Sequence, residues 1–200
     1  MSGQTIVVGI SGASGVLYAV RLIRALLNAD VNVMTILSHG GESVLSHEMG
    51  MTPGSDFTLF LKGLGIRPGQ TSQLTVLYQN DMASAPASGS FFHSGMVVCP
   101  CSMKSLSAIA AGFADNLLTR SADVCLKENR PLILVPRETP YNLVHVRNME
   151  TVILAGGTIL PPSPSFYSGP ENINDLVDTV VARILDHLNI NHQLVPRWGG

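Results

Sequence analysis

Residues 9–15 read Gly9-Ile-Ser-Gly-Ala-Ser-Gly15, directly after the apolar run Thr5-Ile-Val-Val8 and directly before a stretch of helical periodicity that starts near Val16. A strand, a glycine-rich turn and a helix N-terminus in that order make the first unit of an α/β fold. Glycines let the backbone turn tightly and approach a ligand, and the free N–H groups and dipole of a helix start attract an anion. The turn therefore points to a phosphate-bearing ligand. Its spacing is looser than the dinucleotide fingerprint and it carries no Walker lysine, so a plain strand-to-helix connection stays open on these seven residues alone.

Working outward, strand-like runs recur at 31–37, 74–77, 96–99, 132–135 and 158–160. Helical periodicity fills most of the gaps, at 16–28, 41–49, 104–113, 122–128, 143–155 and 173–188. Short apolar strands alternating with helices predict a mostly parallel sheet covered on both faces. Ligands of such sheets bind beyond the carboxyl ends of the strands. Five polar or Pro/Ser-rich turns are expected there: Ser11–Gly15, Ser38, Pro100–Ser105, Pro136–Pro140 and Pro161–Tyr167. A sixth segment, Asn80–Ser90, is too small and polar for core and reads as a substrate-lining loop.

The 200 residues suit one domain, taken as 1–200, with a sizeable core. Hydrophobic residues make up 46% and charged ones only 13%, so apolar surface is expected to be buried between subunits. The C-terminal helix and tail, about 172–200, are the expected place for such an interface. No apolar run reaches the ~18 residues of a membrane span and no signal peptide layout opens the chain, so a cytoplasmic protein is expected. A net charge of −2 gives no reason to expect nucleic acid or an anionic membrane as partner.

The three cysteines, Cys99, Cys101 and Cys125, are read as reduced thiols, and Cys99-Pro100-Cys101 as structural. The six histidines form no ligand pattern, so no metal is expected. Of only twelve Lys and Arg, four fall close together: Arg120, Lys127, Arg130 and Arg137. Arg130 is read as part of a solvated face with Asp123, Glu128 and Glu138 as partners. Arg137 follows an apolar strand and lies between two prolines, where it can grip a phosphate with Glu138 beside it to move a proton. Arg183 stands in the apolar helical run 176–188, facing either a polar pocket or the surface.

Together these segments resemble the UbiX family of flavin prenyltransferases, over essentially the whole chain. The resemblance is carried by Gly9–Gly15, Pro86-Ala-Ser-Gly-Ser90, Met96–Leu106, Ala114–Arg120, Ala122–Glu128, Leu134-Val-Pro-Arg-Glu-Thr-Pro140, Ile159–Tyr167 and Pro196-Arg-Trp-Gly199. It implies a Rossmann-like three-layer α/β sandwich of the flavoprotein (cysteine decarboxylase-like) type. It implies a metal-independent transfer of a dimethylallyl group from dimethylallyl monophosphate to reduced FMN, with bonds at flavin N5 and C6 and release of phosphate. The prenylated FMN would serve a partner UbiD-type decarboxylase, in ubiquinone biosynthesis or aromatic acid decarboxylation, and the enzyme would be a homo-oligomer, a dodecamer.

By the same resemblance Gly12, Ala13, Ser14, Ser38, Ser102, Met103, Lys104, Ser105 and Arg137 hold FMN. Tyr167, Arg183, Lys127 and Arg120 bind the prenyl phosphate, and Glu138, Lys127, Glu48 and Ser14 form the catalytic set. Read without it, Glu48 is a solvated helix-end residue, while for Tyr167 a strand-end aromatic packing on core is the lesser alternative. Cationic side chains compensate a leaving phosphate where no metal does, and a carboxyl supplies its proton. One departure stands out: Met82 lies where some relatives carry a tryptophan, leaving Trp198 as the single tryptophan.

Two other functions compete. An FMN-dependent peptidyl-cysteine decarboxylase would use a histidine after the second strand, and His39 stands there, but the turn Pro86–Ser90 and the Arg137, Tyr167 and Arg183 set fit it less well. A non-catalytic flavin-binding subunit would need Arg137 but not Glu138. Direct decarboxylation of an aromatic acid lacks a dedicated acid/base pair.

Overall fold

The computed structural model describes residues 3–52, 54–63 and 65–197. In chain order they form β1 (Thr5–Ile10), α1 (Val16–Asn28), β2 (Asn32–Leu37), α2 (His39–Met49), α3 (Phe57–Gly63), β3 (Leu74–Tyr78), β4 (Met96–Cys101), α4 (Met103–Ala110), α5 (Leu117–Lys127), β5 (Leu132–Pro136), α6 (Leu143–Leu154), β6 (Thr158–Ile159) and α7 (Ile173–His187). Single 3-10 turns lie at Pro68–Gln73 and Ala85–Ala87.

All six strands pair in parallel, in the order β3-β2-β1-β4-β5-β6. The register sets Val7 beside Met34 on one side and beside Met96 on the other. β1, β4 and β5 are buried almost throughout, so their residues read as continuous apolar runs rather than alternating ones. Alternate residues nevertheless feed two separate cores. Ile6, Val8 and Ile10 of β1 pack with α1, α3 and α7, while Val7 packs with α4, α5 and Val152 of α6. The three-layer sandwich expected from the sequence is therefore the fold observed.

The helices follow from their apolar spacing. α1 buries Val16, Ala19, Val20, Ile23, Leu26 and Leu27, a stripe at i, i+3, i+4, i+7. It lies against α7, whose Val177, Val180, Val181, Ile184 and Leu185 face the same core. Arg21 of α1 pairs with Asp178 of α7, its Nε donating to Oδ1 at 2.8 Å, and both side chains are largely covered.

Three boundaries differ from the sequence reading. α5 begins five residues early because Asn116 caps it: its Oδ1 accepts from Thr119 N–H at 3.1 Å, and Thr119 Oγ1 accepts from the Asn116 N–H. β4 runs on through Pro100 to Cys101, with a register irregularity after Val98. α3 went unread because a seven-residue helix with only Phe57 and Leu61 buried leaves no periodic trace.

Candidate active site

The strand order reverses at β1 and β4, where the chain leaves β1 for α1 on one face and β4 for α4 on the other. A crevice at such a point is where open parallel sheets bind ligands. Here the two exits are stitched by Ser11: its hydroxyl donates to the Pro100 carbonyl at 2.9 Å and accepts from the Ser102 N–H at 2.7 Å. The neighbouring exits join the same edge. Ser38 N–H donates to the Ile10 carbonyl at 3.1 Å, and Arg137 N–H to the Cys101 carbonyl at 3.2 Å. Four of the five expected turns thus meet at one edge.

Two hydroxyls at this edge cap helices. Ser38 Oγ accepts from Gly41 N–H at 3.0 Å at the start of α2, and Ser102 Oγ accepts from Ser105 N–H at 3.2 Å at the start of α4. The turns after β1 and β2 lie so close that a Cβ on Gly12 would sit 3.0 Å from the Cα of Gly40. Gly15 begins α1 at φ 101°, a left-handed conformation that a side chain would strain.

The N-terminus of α1 holds a carboxylate of the chain itself. Gly15 N–H donates to both Glu48 oxygens at 3.0–3.1 Å, and Val16 N–H to Oε2 at 3.1 Å. Glu48 thus accepts from the first amides of α1, which corrects the solvated reading of that residue and leaves the rest of the glycine turn, Gly12 to Ser14, for a ligand. Partial burial pushes the Glu48 carboxyl up, but the Ser14 hydroxyl, the two amides and the charge of Arg137 outweigh it and hold it below the ordinary carboxylate range.

Beyond these groups the edge carries two exposed cations. Among the described residues neither the Lys104 ammonium nor the Arg137 guanidinium makes a hydrogen bond or ion pair. Arg137 lies near enough to Glu48 and Tyr18 to favour their charged forms. Glu138 is exposed beside it, and its Oε1 accepts from Thr139 N–H at 2.9 Å. Ser14, Ser38, Ser102 and Ser105 add hydroxyls. Amides, hydroxyls and unpaired cations gathered at the switch-point edge fit a flat polar ligand that carries an anion, as FMN does.

The fifth turn leaves this edge. From the end of β6 it runs to α7, where Ser165 N–H donates to Thr179 Oγ1 at 3.0 Å. It ends in a cavity of about 730 Å³ lined by Tyr167, Thr179, Arg183, Asp186, His192 and Arg197 among others. Arg183 projects into this pocket from the face of α7 that turns away from the core, and its side chain is 64% exposed. Partial burial raises the Asp186 carboxyl, but His192 and Arg197 more than offset this and hold it low.

Arg120 and Lys127 stand on α5, across the sheet from α7. Arg120 Nε donates to the Ala87 carbonyl at 3.1 Å and its Nη1 pairs with Asp123 at 2.6 Å. Lys127 pairs with Glu128 against Gly89. It ends α5, five residues before β5 begins, whereas Arg137 follows the other end of that strand. The residues that the resemblance gathers into one site therefore fall into three clusters within a chain: the strand edge, the α7 cavity and the outer side of α5.

Arg130 corrects its sequence reading. It is half-buried, donates to the carbonyls of Phe91 at 2.7 Å and Gly89 at 2.6 Å, and lies over the ring of Phe92. It thus fastens the segment after Asn80–Ser90 onto the end of α5. Local sequence could not show this, because the partners are backbone carbonyls some forty residues away. The cysteines are all buried and free, and burial pushes the thiols of Cys101 and Cys125 up to about 12. Trp198 lies outside the described residues.

A parallel sheet with a polar switch-point edge fits the class of nucleotide-binding α/β proteins. The comparisons narrow it. The flavoprotein family matches residues 1–185. The flavin prenyltransferase UbiX of Pseudomonas aeruginosa is 42% identical over 204 residues, covering 100% of this chain and 96% of that protein. The crystal structure of a UbiX protein, AnUbiX (PadA1), in complex with FMN and dimethylallyl pyrophosphate superposes with a TM-score of 0.86 at 38% identity, covering 99% of this chain and 98% of the other. A dodecameric FMN-dependent UbiX-like decarboxylase from Escherichia coli O157:H7 has a TM-score of 0.85 at 37% identity, covering 98% and 100%. The chain belongs to the flavoprotein family and, within it, to the UbiX group.

Proposed function

We propose that this chain is a flavin prenyltransferase that joins the dimethylallyl group of dimethylallyl monophosphate to reduced FMN. The observation that carries this reading is the full-length match to a UbiX protein in complex with FMN and dimethylallyl pyrophosphate. The strand edge supports it independently. When bound there, reduced FMN supplies the nucleophilic N5 and the adjoining C6 at which the five-carbon unit is added.

The chain's own residues divide the remaining work. Gly12, Ala13 and Ser14 with Ser38 hold the flavin from the β1 and β2 exits, and Ser102, Met103, Lys104 and Ser105 hold it from the β4 exit. Arg137 binds its anionic end and orients it toward Glu48 and Glu138. Arg120, Lys127, Arg183 and Tyr167 take the donor phosphate, where two or more cations offset the charge that grows as the C–O bond breaks. Glu138 hands a proton to the leaving phosphate, while Glu48, held ionised by the α1 amides, stabilises positive charge on the allyl group.

Because these groups lie in three clusters, we read the complete site as one built between copies of the chain. The apolar surface such assembly needs is present. α6 exposes Leu143, Val144, Val146, Ile153 and Leu154 and buries only Val152, so this helix joins the C-terminal segment as an interface element. The assembly is taken to be a dodecamer and the product to pass to a UbiD-type decarboxylase. Among the described residues no helix is long and apolar enough to cross a membrane, which fits a cytoplasmic site of action.

The test is anaerobic turnover of purified protein with reduced FMN and dimethylallyl monophosphate, read by mass spectrometry of the released flavin. A flavin heavier by one five-carbon unit is expected. Bound but unaltered FMN would favour another donor or thiol decarboxylation, and absence of any bound flavin would refute the reading.

A further inference from the structure

The cavity on α7 contains a charge arrangement that the donor-binding roles of Tyr167 and Arg183 leave unused. Thr179, Ala182, Arg183 and Asp186 recur at i, i+3, i+4, i+7 along α7 and line the cavity, Thr179 and Ala182 buried at its floor and Arg183 exposed. Asp186 lies at the centre. Its Oδ2 accepts from Arg183 Nη1 at 2.9 Å, and its Oδ1 accepts from Arg197 Nη1 at 2.7 Å and from His192 Nε2 at 3.2 Å. The carboxylate is 19% exposed, whereas the two arginine side chains are 64% and 63% exposed. One covered anion therefore fixes two guanidiniums by one nitrogen each and leaves their remaining N–H donors toward the cavity.

The shared carboxylate keeps the two guanidiniums close, although like charges repel. Two guanidiniums against one carboxylate leave one positive charge in excess. Planar forks set at a fixed separation match the oxygens of a phosphate better than two free side chains, because less rotamer freedom is lost on binding. Arg197 reaches the site from the chain segment after α7, and Asp186 holds that segment to the helix through Arg197 and the buried His192.

We infer that Asp186 is a positioning residue that clamps Arg183 and Arg197 together as a two-arginine receptor for the donor's phosphate. Arg197 is then a phosphate contact in its own right. The inference rests on the reading that Tyr167 and Arg183 face the prenyl donor.

The test uses the assembled protein with Asp186→Asn, Asp186→Glu and Arg197→Gln. Prenyl transfer is followed against donor concentration at saturating reduced FMN, and FMN affinity is titrated separately. Asp186→Asn and Arg197→Gln are expected to raise the donor KM about tenfold, with kcat and FMN affinity near the parent values. Asp186→Glu should recover part of the loss, and the double variant Asp186→Asn/Arg197→Gln should lose less than the two single losses combined, because only Arg183 is then left for Asp186 to release. Arg197 is exposed, so its variant leaves the fold intact and keeps the test decisive. An unchanged donor KM in Arg197→Gln, or equal losses for donor and FMN, overturns the clamp. Should the parent transfer no prenyl group, the donor reading fails by itself. Calorimetry with inorganic phosphate then decides the clamp: weaker binding by Arg197→Gln and Asp186→Asn supports it, and identical binding by parent and variants refutes it.

Discussion

At the scale of single residues, Glu48 changes the account most. Its carboxylate serves the α1 N-terminus and faces Arg137 at once. Because its folded pKa lies below the ordinary 4.5, it stabilises the fold fully above that value, and the contribution is lost as pH falls through the folded pKa. Glu48→Ala should lower the melting temperature of the FMN-free protein by about 2–4 °C near pH 7. The gap to the parent should close below pH 4.5, as a thermal series across pH would record. Glu138 and Ser14 divide differently. Glu138→Gln should keep FMN bound and slow prenyl transfer by about 10²-fold or more, whereas Ser14→Trp should abolish FMN binding itself; parent-like turnover by the glutamine variant would remove Glu138 from its role. Nothing local in the sequence pairs Glu48 with Gly15, since thirty-three positions separate them and only the packing of α2 beside α1 brings them together.

At the scale of elements, strands and helices were legible because apolar spacing and turn chemistry agree along most of the chain. All six strands lie within a residue or two of the expected positions. What the spacing missed was decided by side-chain contacts: Asn116 extends α5 backward, and the short α3 is held by Phe57, Phe60 and Leu61. The pairing of α1 with α7 was also invisible, because Arg21 and Asp178 are 157 positions apart. Asp178→Ala should cost roughly 3 kcal/mol by leaving the Arg21 charge covered and unpartnered, read as a shift in the denaturant midpoint. A change under about 0.5 kcal/mol would mean that water compensates Arg21 and that apolar packing alone joins the two helices.

At the scale of the whole molecule, the sequence set candidate groups at strand ends and on helices but not their distances, and it did not single out Asp186, His192 or Arg197 of the α7 cavity. Periodicity places residues on faces and at strand ends, and so the edge around Ser11, Ser102 and Arg137 was legible. It does not report that Arg183 lies on one side of the sheet and Lys127 on the other. The low charged fraction, which already suggested buried subunit interfaces, has its counterpart in the uncovered apolar residues of α6. An enzyme whose flavin edge, donor cavity and α5 cations come from different copies has no complete site as a monomer.

That claim is tested most directly by subunit complementation. Arg137→Ala and Arg183→Ala chains, tagged differently, are co-expressed, and mixed oligomers are isolated by both tags. Each variant alone should form almost no prenylated flavin from reduced FMN and dimethylallyl monophosphate. The mixed oligomers should regain activity, because intact strand edges of one chain meet intact α7 cavities of the other. Mixed oligomers as inactive as either variant would contradict a shared site and return all its residues to a single chain.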